Sequence, residues 1–172
     1  MPYPEPLVQP MRAELTRLGV EELQDSAAVD AAFEAAEEGT MLLIVNSVCG
    51  CAAANARPAV ALAKQASAQP DQYVTVFAGQ DLEATQRARQ HLAGIPPSSP
   101  FFALVKNGDP VFVVERRHIE GRSASAIATD LVQAFDKFCG TEATSEVEPE
   151  RPAEADVPGD GSSLPPTFRS IL

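Results

Sequence analysis

Hydrophobic positions along residues 1–140 change their period several times, and each change marks an element. Residues 10–18 put Met11, Leu15 and Leu18 on one face, the spacing of a short amphipathic helix, and Gly19 ends it. Asp25 or Ser26 stands where an N-cap belongs, ahead of a helix that runs to Ala36 and stops at Gly39. Residues 41–47, MLLIVNS, form a near-continuous apolar run, as a parallel strand buried on both faces requires. An alanine-rich helix over 52–68 follows, then a strand, YVTVF, over 73–77. Asp81 caps a further helix to Leu92, with Gly94 behind it. Residues 100–115 read as two strands around Asn107-Gly108, a strong signal for a two-residue hairpin. Ser123 begins a last helix, which closes just before Cys139. Strands alternating with helices, then a hairpin and a helix, predict an α/β fold around one central sheet.

The pattern stops near residue 140. Residues 141–172 hold seven acidic and two basic side chains, five prolines and almost no apolar periodicity. Such a segment buries too little apolar surface to offset its conformational entropy, so a disordered acidic tail is expected over 141–172 behind one domain at 1–140. Phe168, Ile171 and Leu172 give the tail an apolar end that can dock on a partner or on the domain; disorder to the last residue is the simpler expectation.

Charge and cysteine usage narrow the function classes. The chain carries 24 acidic and 13 basic side chains, a formal net charge of −11. That field repels nucleic acid and anionic membrane surfaces, so neither is expected as a partner. Residues 1–15 lack the basic and apolar blocks of a secretory signal, and apolar runs such as 41–45 fall far short of the ~20 residues of a membrane helix. The expected location is the cytoplasm. Three cysteines are too few for a disulfide framework, and the cytosol keeps structural disulfides reduced. The cysteines therefore raise the question of chemistry.

Cys49 and Cys51 follow the buried strand directly and stand where the next helix starts. Free N–H groups at a helix N-terminus stabilise an anion, and the thiolate is the nucleophile of disulfide exchange. Two cysteines one residue apart can also close on each other, with Gly50 giving backbone freedom to so small a ring. Two other readings stay open: buried structural cysteines, and a Cys-X-Cys metal site. Zinc would need further ligands, for which His91, His118 and Cys139 are the candidates. Asn46 or Ser47, at the strand end, can donate a hydrogen bond to a thiolate or simply finish the strand. Pro58 should kink the helix after the pair. Pro96, Pro97 and Pro100 precede the hairpin; a cis bond before the strand would bring Ser99 and Pro100 against the cysteine turn.

The remaining candidates have ordinary readings. Arg57 suits a solvated helix face, with recognition of carboxylates as the alternative. His118, beside Glu120 ahead of the last helix, reads as a surface histidine, with proton transfer at the exchange site as the alternative. His91 sits late in its helix, where a cation suits the dipole, and Cys139 packs as a small apolar side chain.

Taken in order, the motifs resemble one family. Strand, cysteine turn, kinked helix, then proline, strand, KNG, strand and helix resemble thioredoxin. The opening MPYPEPLVQPMRAELTRLGVEEL, NSVCGCAAANARPAV (46–60), PPSSPFFALVKNG (96–108), RRHIEGRSASAIA (116–128) and Phe138-Cys139 are similar to the bacilliredoxins, over roughly residues 1–140. The resemblance implies a thioredoxin-like fold: a mixed central sheet flanked by helices, with extra N-terminal helices. It implies removal of bacillithiol from mixed disulfides of client proteins, with Cys49 as nucleophile and Cys51 as resolving cysteine. Bacillithiol is then the low-molecular-weight thiol co-substrate, no cofactor is tightly bound, and a flavin-dependent bacillithiol disulfide reductase restores the dithiol. Pro100 matches the cis proline of the fold, and Ser99 offers its backbone to the bound partner; beside the resemblance, Gly50 and Asn46 are further candidates for the substrate-binding surface. A general protein disulfide reductase or isomerase, a Cys-X-Cys metal-handling module and a non-catalytic adaptor are the competing functions.

Overall fold

The computed structural model describes residues 1–140 and 149–153. Five strands make one mixed sheet in the order β1-β3-β2-β4-β5, where β1 is Glu21–Glu22, β2 Thr40–Asn46, β3 Gln72–Phe77, β4 Phe101–Lys106 and β5 Asp109–Val114. β1 and β2 run parallel to β3; β4 is antiparallel to β2, and β5 to β4. The helices are α1 (Glu5–Thr16), α2 (Ser26–Ala35), α3 (Arg57–Ala63), α4 (Leu82–His91) and α5 (Ala124–Phe138). This is the expected α/β architecture, a mixed sheet flanked by helices.

All seven residues of β2 are buried. Leu42 and Ile44 join the core under α3 and α5, while Met41, Leu43 and Val45 join the one under α2 and α4. A central strand covered on both faces needs apolar residues at every position. Lys106 faces Asp109 across the hairpin, and Asn107 and Gly108 both take positive φ (51° and 85°), as a two-residue turn of that type demands. Pro110 is tolerated because the β4–β5 register slips beside it, between Leu104 and Val105.

Several boundaries differ from expectation. Helix α1 starts at Glu5 and carries Pro10 inside it, because Pro6 already occupies the first turn and Val8 packs into the core. The helix after the cysteines ends at Ala63, five residues early; the Gln69 amide donates to the carbonyls of Ala63 (3.1 Å) and Ala66 (2.7 Å) and closes it. Asp25 caps α2 as predicted, accepting from Ala28 N–H at 2.8 Å. Asp81 occupies the N-cap position of α4 without a capping bond. Its carboxylate is held by the buried Arg12 at 2.7 and 2.9 Å, and the same guanidinium reaches Glu5 and Glu22. Most of the tail expectation (141–148 and 154–172) lies outside the described residues. Residues 149–153 run beside β5, where Glu150 bridges Phe112.

Candidate active site

Strand β2 ends at Asn46, and the chain turns through Ser47 and Val48 into a helical stretch that begins at Gly50. Cys49 stands at its mouth: its carbonyl accepts from Ala52 N–H (3.1 Å) and Ala53 N–H (3.2 Å). Residues Ala52–Ala56 then form a wide π-type turn before α3. Pro58, in the first turn of α3, has no N–H to give to the previous turn, and the wider turn absorbs that loss. The irregularity expected from Pro58 is therefore a π turn directly behind the cysteines.

The two sulfurs lie 2.6 Å apart, and Ser47 Oγ donates to Cys49 Sγ at 3.1 Å. Burial pushes the Cys49 thiol up, but hydrogen bonds from Cys51, Ser47 and Ala52 N–H and the charge of Arg116 outweigh it, leaving the thiol below its ordinary range. Cys51 goes the other way. Burial raises it, Cys49 raises it further as bond partner and as charge, and Arg116 offsets only part. One cysteine is disposed to be a thiolate and its neighbour to keep its proton.

Of the two polar residues at the strand end, Ser47 is the one that reaches the sulfur. Asn46 is 2% exposed and its amide serves the scaffold: Oδ1 accepts from Ser47 N–H (2.9 Å) and Arg57 Nη1 (3.1 Å), and Nδ2 donates to the Met11 carbonyl (3.4 Å). Arg57 corrects the expectation of a solvated helix face. It is 4% exposed, and Nη1 also donates to the Ser47 carbonyl at 3.1 Å while Nε pairs with Glu14 at 2.7 Å. This guanidinium supplies a donor to the buried Ser47 carbonyl and a second donor to the Asn46 amide oxygen. Gly50 stands outside the positive-φ region, and a Cβ there would meet nothing within 4 Å, so the space around it is open.

The Ser99–Pro100 bond is cis. Val45, next to last in β2, pairs with Phe101, so the cis bond lies directly ahead of the strand that neighbours the cysteine-bearing one. Arg116 crosses this loop: its N–H donates to Ser98 Oγ (3.3 Å), Nη1 to the Ser99 carbonyl (3.5 Å), and Nη2 pairs with Glu120 at 2.8 Å. Arg116 acts on both thiols and escaped the reading of the sequence, where it is one arginine among several in ERRHIEGR. The turn that carries it spans Arg116–His118. His118 is 5% exposed, not a surface group, and its Nδ1 accepts from Glu115 N–H at 3.1 Å. Asn55, in the π turn, donates to the Arg122 carbonyl and ties the cysteine helix to the same loop.

His91 and Cys139 lie elsewhere. His91 stacks on Phe33 at 4.1 Å and bonds Asp30 at 2.6 Å, a fixed position that the dipole reading alone did not foresee. Cys139 packs against the α3–α5 core, and burial pushes its thiol up to about 11. Among the described residues no group of three or more His, Cys, Asp and Glu gathers to hold a metal ion, so the tetrahedral set of a zinc site is not assembled around the pair. Among those residues, too, no helix is long and apolar enough to cross a membrane.

The model of a family described as disulphide isomerase matches residues 3–139. A bacilliredoxin of Salinibacter ruber is 63% identical over 172 residues, 99% of this chain and 99% of its own length. The chain belongs to the bacilliredoxin family. A second bacilliredoxin of the same organism is 58% identical over an equal span, and one from Koribacter versatilis is 48% identical over 141 residues, 82% of this chain and 97% of its own. Bacilliredoxins are thus similar to it well beyond the cysteine motif, and the chain is a member of a thiol–disulfide oxidoreductase family.

Proposed function

We propose that this protein removes bacillithiol from mixed disulfides on client proteins. The Cys49 thiolate attacks the bacillithiol sulfur; a Cys49–bacillithiol disulfide forms and the client leaves as its thiolate. Cys51 then attacks Cys49 Sγ, losing its proton as the S–S bond forms, and bacillithiol leaves as thiolate. A Cys49–Cys51 disulfide remains, which two electrons return to the dithiol; external bacillithiol and a flavin-dependent bacillithiol disulfide reductase are the proposed source. No tightly bound cofactor enters the scheme.

The observation that carries this reading is the opposite treatment of two adjacent thiols, Cys49 lowered and Cys51 raised. A nucleophile must be ionised at neutral pH, and a resolving thiol must wait until its neighbour is occupied. The names of the relatives supply the thiol. Arg116, near the pair and half exposed, is suited to an anionic adduct.

A second reading, a general disulfide reductase or isomerase, is favoured by the description of the matching family. One experiment separates them. A client carrying bacillithiol and the same client carrying cysteine are each incubated with reduced protein, and the release rates compared. Faster release of bacillithiol, by tenfold or so, supports the first reading; equal rates support the second.

A further inference from the structure

The outer edge of β5 is paired. Val113 N–H donates to the Glu150 carbonyl at 2.8 Å and Glu150 N–H donates to the Val111 carbonyl at 3.0 Å, so the segment adds to the sheet parallel to β5. Side chains fix it from both sides. Lys137 on α5 pairs with Glu150, Pro152 is buried, and Arg151 Nε reaches Glu115 Oε2 at 3.2 Å. A bare edge strand is a template for any extended chain, and residues 149–153 occupy this one.

Glu115 links the segment to the cysteines. It is 7% exposed, its carboxylate also accepts from Arg117 (3.2 and 3.1 Å), and it forms a reciprocal cap with His118 over the Arg116–His118 turn. Burial alone would raise its carboxyl, but Arg117 and Arg151 hold it below the usual carboxylate range. The next residue is Arg116, whose guanidinium spans Ser99 and Glu120 beside the sulfurs.

We propose that residues 149–153 are a built-in sixth strand that braces the active site, with Arg151 a positioning residue acting through Glu115 on the turn that carries Arg116. The occupant of the β5 edge is the chain's own segment, selected by charge: Glu150 meets Lys137 and Arg151 meets Glu115. The brace rests on the reading of Cys49 as the thiolate. The charged or titrating groups acting on Cys49 are Cys51 and Arg116, and Cys51 feels Glu120 as well. Displacing the turn therefore alters the field at both sulfurs.

The test uses the full chain and two readouts. Hydrogen exchange should show the Val113 amide protected in the wild type and freed in Glu150→Pro, which lacks the donor to Val111. Alkylation of Cys49 against pH should shift upward in Arg151→Gln, slowing at neutral pH by roughly threefold, and return in Arg151→Lys. An exposed Val113 amide in the wild type overturns the strand. Protection that fades on dilution assigns the occupant to a second copy and overturns it as well. An unmoved alkylation profile in both Arg151→Gln and Glu150→Pro overturns the brace. If wild-type Cys49 itself reacts no faster than an ordinary thiol, the nucleophile reading fails instead, and the exchange result still decides the strand.

Discussion

Cys49 and Cys51 have their sulfurs 2.6 Å apart, yet the protein lowers the pKa of the first thiol and raises that of the second. The difference comes from the turn between β2 and α3. Ser47 Oγ and Ala52 N–H both face Cys49, whereas Cys51 meets its neighbour's developing charge. A free thiol titrates at about 8.5, so the direction of each shift decides which cysteine ionises first as the pH rises.

The pH dependence follows in sign. Cys49 alkylation rises with pH and levels off below the range of a free thiol, because its thiolate is already formed there. Arg116→Gln removes a charge that favours that thiolate and moves the profile to higher pH. Iodoacetamide rates from pH 5 to 10, read by peptide mass spectrometry, check both. A wild-type profile matching a free cysteine contradicts the site electrostatics.

Ser47→Ala deletes one hydrogen bond to the sulfur and leaves the fold intact. A bond to a charged group contributes roughly 1.5 kcal/mol, so the Cys49 alkylation profile should move to higher pH by about one unit. Asn46→Ala differs: its side chain binds Arg57 and Ser47 N–H, so stability falls first. Comparing alkylation rates with urea midpoints separates the two effects.

Much of the fold was legible because its causes are local. The apolar run at 41–45, Asn107-Gly108 in the hairpin, and the caps Asp25 and Ser123 all act within a few residues of themselves. What escaped depends on distant partners. Arg57 is buried because Glu14, 43 residues away, and Asn46 meet it; as one charged residue in an alanine-rich helix it carries no local mark. Arg116 and His118 matter through the Ser99 loop and Glu115. Strand β1 is two glutamates, opposite to strand composition, and exists through its pairing with Val74 and Thr75. The cysteine pair was legible, but which of the two becomes the thiolate was given there only by resemblance.

Arg57→Gln leaves the Ser47 carbonyl and the Asn46 amide short of a donor in a buried place. Destabilisation of about 1–3 kcal/mol is expected, seen as a lower urea midpoint at unchanged slope. An unchanged midpoint contradicts the scaffold role.

Two glycines should respond differently to alanine. Gly108 has φ of 85°, where a side chain costs about 1–2 kcal/mol, so Gly108→Ala lowers stability by that order. Gly50→Ala meets open space in a helical stretch and should keep or slightly raise the stability of the reduced protein. Thermal melts of the two variants beside the wild type check the contrast.

Cys139, whose thiol burial pushes up to about 11, should stay unmodified through a brief alkylation at pH 7 that labels Cys49 fully. Rapid labelling of Cys139 contradicts its packing against α3 and α5.

The central claim is that Cys49 takes the adduct and Cys51 releases it. The most direct measurement is intact mass spectrometry of wild type, Cys49→Ala and Cys51→Ala after incubation with a bacillithiol-modified client. The account predicts one bacillithiol trapped on Cys49 in Cys51→Ala, none on Cys49→Ala, and a wild type that ends as the Cys49–Cys51 disulfide with the client restored. A client that stays modified, or an adduct that forms equally well without Cys49, contradicts it.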